Sequence, residues 1–101
     1  MNKRAASLLG LCMKAGRLAV GEYSCEKALR AGNAKLVIIA EDASDNTRKK
    51  FTNKAFYYKV PVVSNGGRDE ISKAIGRDNR VVVVVTDSGF AGSLRELLAE
   101  E

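Results

Sequence analysis

The sequence contains no histidine, and cysteine occurs only twice, at Cys12 and Cys25. The common zinc sites and the Ser-His-Asp and Cys-His catalytic groups need histidine or clustered cysteines, so this composition argues against all of them. The two cysteines follow no C-x-x-C spacing, and Cys25 falls on the apolar side of a predicted helix. We interpret both as small core residues in a reducing compartment, and we expect no metal and no other cofactor.

Long hydrophobic runs are also absent. No apolar segment approaches the roughly 18 residues of a membrane span, and the opening MNKRAAS lacks a long apolar stretch behind its charges. With 101 residues, 46% of them apolar and 29% charged, the chain has ordinary globular composition. These properties predict one domain over residues 1–101, a cytoplasmic monomer without membrane contact.

Positive charge is concentrated in the first part of the chain. Residues 1–60 carry 12 Lys and Arg against 5 Asp and Glu (+7), whereas residues 61–101 carry 5 against 7 (−2), in agreement with the net charge of +5. Such asymmetry is typical of proteins that contact a polyanion, but it does not distinguish RNA, DNA and an anionic membrane. A soluble protein that is simply basic remains an alternative.

Hydrophobic periodicity predicts alternating helices and strands. Residues 36–40, 60–63 and 81–85 are continuous aliphatic runs, which is typical of strands buried on both faces, and residues 17–20 suit only a short strand. Apolar residues at helical spacing precede, separate and follow these runs, and Ser44 and Asp87 or Ser88 are suitable N-caps. The alternation predicts a three-layer α/β/α sandwich around a small mixed, mostly parallel four-stranded sheet, in which the short strand could be antiparallel.

A candidate anion site lies where the second helix begins. Gly21 directly follows the short strand, so the first N–H groups of the helix would be open to a phosphate or a base edge. Lys27 shares a helix face with Tyr23, and its side chain would lean back toward this open end. A solvated lysine beside a covering tyrosine is the alternative, and it is favoured for so short a motif taken alone.

Further basic residues could reach the same end of the sheet. The loop GRDNR would add Arg77 and Arg80, and Arg48 and Lys49 follow the Ser44 cap. Each charge alone is more often solvated, but their convergence would form a phosphate-binding surface. Asp42 is interpreted as a turn and capping residue. A small enzyme would need a base or nucleophile that the sequence does not offer, so we expect no catalysis.

The run KALRAGNAKLVIIAEDAS, with Gly21 before it, resembles the kink-turn-binding ribosomal protein superfamily, the L-seven-Ae and L-thirty-e group. The segments GLCMKAGRLAVGE, DASDNTRKK, YYKVPVV and VVVVVTDSGFA are most similar to its bacterial YlxQ-like branch. The resemblance covers nearly the whole chain in the order of the elements. It implies an α/β/α sandwich that binds structured RNA, kink-turn or ribosomal, without catalysis.

The resemblance also implies which residues contact RNA. Gly21 and Lys27 match the family motif, whereas Tyr23 and Ser24 stand where well-studied kink-turn binders have Asn and Glu. The loop at residues 77–80 is charged where those binders carry an aliphatic residue and a proline. The expected RNA-binding residues are Gly21, Glu22, Tyr23, Ser24, Lys27, Ser44, Arg48, Arg68, Arg77 and Arg80.

Two functional hypotheses follow. The first is noncatalytic binding of structured RNA through the start of the second helix and its neighbouring loops, with a larger electrostatic share than in kink-turn specialists. The second is a protein-interaction module associated with the ribosome or the translation machinery, without sequence-specific RNA recognition. The sequence alone does not decide between them.

Overall fold

The computed structural model describes residues 1–100. Five helices and four strands alternate along these residues, as the periodicity predicted: α1 Lys3–Lys14, β1 Leu18–Val20, α2 Glu22–Arg30, β2 Leu36–Ile39, α3 Asp45–Tyr57, β3 Val62–Ser64, α4 Arg68–Ile75, β4 Val82–Val85 and α5 Ser88–Ala99.

The strands form one mixed sheet in the order β1-β4-β2-β3 with helices on both faces. Successive side chains of a strand point to opposite faces, so β2 and β4 contribute to both layers of the core. Leu36, Ile38, Val83 and Val85 pack with α1, α4 and α5. Val37, Ile39, Val82 and Val84 pack with α2 and α3. The predicted three-layer α/β/α sandwich with a four-stranded mixed sheet is confirmed.

The prediction of a mostly parallel sheet is wrong. Only β2 and β3 are parallel, and β4 is antiparallel to both of its neighbours, β1 and β2. In a strand–helix–strand connection, the helix normally returns the chain to the end of the sheet where the first strand began, so the next strand is parallel to it. Here the segment after α4 folds back along the helix, where Ser72 Oγ accepts a 2.8 Å hydrogen bond from the Arg80 N–H. Consequently β4 starts at the end of the sheet where β2 and β3 finish, and it runs antiparallel to them.

The aliphatic run at residues 60–63 is not buried on both faces as predicted. β3 lies at one edge of the sheet, and its valines are only partly covered while Ser64 is exposed. Pro61 lies just before this strand, where its missing N–H breaks no central ladder. The two fully buried strands are β2 and β4, which have neighbours on both sides.

Candidate nucleic-acid interface

Four segments meet at one end of the strands, across the width of the sheet. We call this end of the sheet the helix-start edge. Val20 pairs with Val83, and Ile39 pairs with both Val82 and Ser64, so β1, β2 and β3 end where β4 begins. The segments that follow or precede these positions are residues 21–24, 41–44, 65–68 and 80–81. The 21–24 and 41–44 turns share this edge as predicted, and α2, α3 and α4 all begin there. The predicted loop at residues 76–80 starts at the other end of α4 and reaches the edge only where it joins Val81.

The start of α2 differs from the other helix starts. Gly21 is its N-cap, with φ of 88°, a left-handed conformation that disfavours any residue with a Cβ. A glycine has no side chain to accept a hydrogen bond, and none caps α2. By contrast, Asn2, Ser44 and Asp87 accept from the first turns of α1, α3 and α5. Among the described helices, only α2 presents its first N–H groups without a side-chain acceptor.

Three predicted residues lie on the exposed side of α2. Tyr23 is 75% exposed, so its ring is accessible to a ligand. Ser24 and Lys27 are exposed too, and Lys27 forms no ion pair within residues 1–100. The opposite face of α2 is anchored by Cys25, Ala28 and Leu29 in the core. An exposed aromatic ring and a hydroxyl thus lie in the first turn with the uncapped N–H groups, and the exposed Lys27 follows in the last turn of the same helix.

Glu22 belongs to a contact between helices that the sequence did not reveal. Lys50 of α3 lies 3.4 Å from the Glu22 carboxylate and also forms an ion pair with Glu26. The Lys50 ammonium lowers the pKa of Glu26, and the hydrogen bond to Glu26 raises the pKa of Lys50. Periodicity describes each helix separately, so it could not predict this pairing.

Ser44 and Arg48, also predicted to face RNA, have partners within the protein. Ser44 Oγ accepts from the Thr47 N–H at 3.2 Å and caps α3. The Arg48 guanidinium donates to Ser64 Oγ at 2.8 Å and to the carbonyl oxygens of Ala40 and Glu41, each at 2.9 Å. Arg48 therefore joins α3 to the ends of β2 and β3. The sequence pattern does not reveal these bonds, because two of the acceptors are backbone carbonyl oxygens and the third is a hydroxyl on another strand.

Arg68 opens α4 beside the turn after β2. Its backbone N–H donates to Asp42 Oδ1 at 2.7 Å, and the Gly67 N–H donates to Glu70 Oε1 at 2.9 Å. Glu70 also pairs with the amino group of Met1 at 3.0 Å, and these bonds lower the pKa of its carboxyl. Asp42 is confirmed as a capping residue, although it caps α4. The side-chain Nε of Arg68 is buried without a hydrogen-bond partner in the described part of the chain.

The loop before β4 carries two more of the predicted arginines. Arg77 lies at the C-terminal end of α4, where its N–H donates to the Ser72 carbonyl oxygen, and Arg80 lies nearer the helix-start edge, one residue before Val81. Arg77 is exposed, and Arg80 is partly buried, with the Ser72 hydroxyl between its N–H and its carbonyl oxygen. The Nε of Arg80 is also buried and unpaired in the region that the structure covers. Buried donors without acceptors are uncommon in proteins. Both of these donors belong to arginines that the sequence predicted to contact RNA.

Both cysteines are buried, and the pKa of each thiol is raised. Burial, with the Asp87 charge second, raises the pKa of Cys12 to about 11. Burial, followed by the charges of Glu22 and Glu26, raises the pKa of Cys25 to about 12. Within residues 1–100 no three His, Cys, Asp or Glu residues form a group that could hold a metal ion. None of the described helices has the length and apolar character needed to cross a membrane.

The profile of the "Ribosomal protein L7Ae/L30e/S12e/Gadd45 family" matches residues 3–94. The chain belongs to this family. The "RNA-binding protein YlxQ" of Bacillus subtilis is 48% identical over 91 residues, which are 90% of this chain and 91% of that protein. The "Large ribosomal subunit protein eL30" of Dictyostelium discoideum is 34% identical over 96 residues, 93% of this chain and 86% of the relative. The resemblance seen in the sequence is thereby confirmed.

Two solved structures agree with the architecture of this family member. A protein of unknown function from Bacillus halodurans C has a TM-score of 0.92 and 39% identity, with 97% of this chain and 99% of that chain covered. The "Giardia lamblia 15.5kD RNA binding protein" has a TM-score of 0.78 over 99% of this chain and 89% of its own. Because its sequence is only 19% identical, this second structure supports the fold alone.

Proposed function

We propose that this protein binds structured RNA, kink-turn-like or ribosomal, without catalysis, through the start of α2 and the neighbouring loops. The observation that carries the proposal is the uncapped start of α2 at Gly21, beside Lys27 and an exposed Tyr23. We further propose that residues 1–101 act as one domain in a cytoplasmic monomer. The relatives support the proposal, since the Bacillus subtilis protein is named RNA-binding and the Dictyostelium discoideum protein is a ribosomal subunit protein.

The open N–H groups of α2 are the central element of the proposed interface. The partial positive charge at a helix N-terminus attracts a phosphate, and glycine allows the ligand to approach the backbone closely. Lys27 adds a full charge to the same end. Because Glu22 is paired with Lys50, its negative charge is partly neutralised near the incoming RNA.

Tyr23 and Ser24 would give this protein its own specificity. The ring of Tyr23 offers a stacking face for an unpaired base and one hydroxyl group, and Ser24 offers only a hydroxyl. Such groups read base edges with less fixed geometry than amide or carboxylate side chains. Recognition would therefore depend more on RNA shape and phosphate position, to which the arginines of the 77–80 loop also contribute.

Ser44, Arg48 and Arg68 would act in different ways. Ser44 and Arg48 have their polar atoms engaged within the protein, so they would position the helix-start edge for the RNA. Arg68 and Arg80 carry unpaired Nε donors and would bind phosphate directly after reorientation of their side chains. Arg77 is exposed and would add long-range attraction.

A titration by gel shift would test the proposal against a kink-turn duplex, an unkinked duplex and ribosomal RNA fragments at low salt. Lys27→Glu should weaken binding and reduce the slope of log affinity against log salt by about 0.7 to 0.9 for each lost phosphate contact. The matched control is Lys35→Glu, an exposed lysine beside Val85 at the opposite edge of the sheet. Absence of binding to every structured RNA would overturn the function, and equal effects of the two variants would overturn the site.

A further inference from the structure

The outer side of α1 forms a second surface, on the face of the sheet opposite to α2 and α3. Ala5, Leu9 and Cys12 hold the inner side of α1 in the core. The outer side borders two open grooves, one of about 550 Å³ against α4 and one of about 380 Å³ against α5. Ser7 and Leu11 line both grooves, so they form the ridge between them.

Leu11 is the apolar centre of this surface. Its side chain is 55% exposed, although the residues around it are mostly small or apolar, among them Leu8, Gly10 and Leu97. Single exposed leucines are common, but a leucine between two apolar grooves forms a continuous surface that water covers poorly. We call this surface, with its lysines and arginine, the α1 face.

The charges around Leu11 have one sign. Four cations line the two grooves, and no acidic residue lines either groove within residues 1–100; the cations are Lys3, Arg4, Lys14 and Lys73. Of these, only Arg4 has an ion pair in the described structure, a long one of 3.8 Å to Glu100. The α1 face therefore lacks internal compensation for its charge, and an acidic partner would supply it.

We propose that the α1 face is a docking surface for an acidic amphipathic helix of a partner protein. Lys3 and Lys14 lie eleven residues apart on α1, a distance of about 16 Å along the helix axis. A partner helix of similar length lying along a groove places apolar side chains on Leu11 and carboxylates near both ends. Helix-in-groove docking of this kind depends on apolar anchors at one helix face.

An RNA backbone fits the α1 face less well than a peptide helix does. Phosphates would pair with the cations, but they would leave the exposed Leu11 and the apolar groove walls without a partner. Moreover, α1 packs on the face of the sheet opposite to α2, and only its first residues lie near the helix-start edge, where the Met1 amino group pairs with Glu70. A peptide centred on Leu11 would therefore leave the start of α2 open, and the protein would connect an RNA to a second protein.

The test uses three synthetic helical peptides of 15 residues as probes. The first carries two leucines on one face and glutamates near both ends, the second has serines in place of the leucines, and the third has lysines in place of the glutamates. Each is titrated into ¹⁵N-labelled protein, and the shifted amide signals are mapped. We expect the first peptide to bind at least about tenfold more tightly than either control, with the largest shifts at Ser7, Leu11 and Lys14.

Protein variants identify the surface. Leu11→Ser and Lys14→Glu, both at exposed positions, should each weaken binding of the first peptide by about tenfold, whereas Arg95→Glu on the exposed part of α5 should leave it unchanged. Unchanged melting temperatures confirm that the variants fold. The proposal is wrong if the first peptide does not bind, if the serine peptide binds equally well, or if an RNA oligonucleotide displaces the peptide from the same amides.

Discussion

Asp42 Oδ1 lies 2.7 Å from the backbone nitrogen of Arg68 and accepts its hydrogen bond, so the turn after β2 caps the start of α4. Gly67, the N-cap residue of α4, has no side chain to do so. The cap therefore comes from a different loop, and it links two of the segments that form the helix-start edge. The stability of α4 and the shape of the proposed RNA-binding edge consequently depend on one carboxylate.

Asp42→Ala should lower the free energy of unfolding by about 1 kcal/mol, the usual cost of losing a capping side chain. Urea denaturation measures the change. The control is Asp78→Ala, an exposed aspartate in the 77–80 loop, which should shift stability by less than about 0.5 kcal/mol. Equal losses in the two variants would contradict the capping role.

Arg48→Ala should destabilise the protein by about 2 kcal/mol, because the carbonyl oxygens of Ala40 and Glu41 lose a charged donor. Arg48→Lys should restore only part of this loss, since an ammonium cannot reproduce the planar fork of donors. The control is Lys49→Ala, which removes one positive charge from the neighbouring, exposed residue. An Arg48→Ala protein as stable as wild type but unable to bind RNA would show that Arg48 acts mainly as a ligand.

Gly10→Ala should destabilise the contact between α1 and α4. A Cβ at this position would lie 2.9 Å from the carbonyl oxygen of Ala74, and a backbone atom cannot move aside cheaply. The strain should exceed the gain in helix propensity and leave a net loss of about 1 kcal/mol or more.

Gly92→Ala in α5 is the matched comparison, because its Cβ meets no atom within 4 Å. This substitution should stabilise the protein by about 0.5 to 1 kcal/mol through helix propensity alone. Thermal melts of both variants measure the difference. If both substitutions changed the melting temperature in the same direction, the close packing inferred at Gly10 would be contradicted.

The free energy of unfolding should fall as the pH rises above about 9. Burial raises the pKa of Cys25 from 9.0 to about 12, so the unfolded chain loses this proton at a lower pH than the folded chain does. The contribution of the thiol to stability is complete below pH 9 and decreases at higher pH, by at most about 1.4 kcal/mol per pH unit. The difference between the urea midpoints at pH 8 and pH 10 should be smaller for Cys25→Ala than for the wild-type protein. An identical decline in that variant would mean that other groups are responsible.

The sequence predicted those parts of the fold that depend on local pattern. The aliphatic runs at β2 and β4 identified the two central strands because these are buried on both faces. Ser44 and Asp87 marked helix starts because their side chains accept hydrogen bonds within one turn. The open helix start at Gly21 was also evident, because a glycine between a short strand and a helical pattern has no side chain with which to cap the helix.

What the sequence could not predict depends on contacts across the fold. The direction of β4 is determined by the return of the chain along α4, where Ser72 bonds to Arg80. The roles of Arg48 and Lys50 depend on acceptors on other elements, and neither follows from periodicity. Which of the predicted residues contact RNA remains a prediction, since position at the helix-start edge does not by itself reveal a ligand.

The central place of β4 affects how the chain acquires its structure during synthesis. β1 pairs only with β4, and β4 also separates β1 from β2. While residues 82–85 are still inside the ribosome, the emerging chain can pair only β2 with β3, and β1 has no neighbour. The sheet is therefore completed only after residues 82–85 have left the ribosome, so a chain that stalls before residue 82 would expose unpaired strand edges to chaperones and proteases.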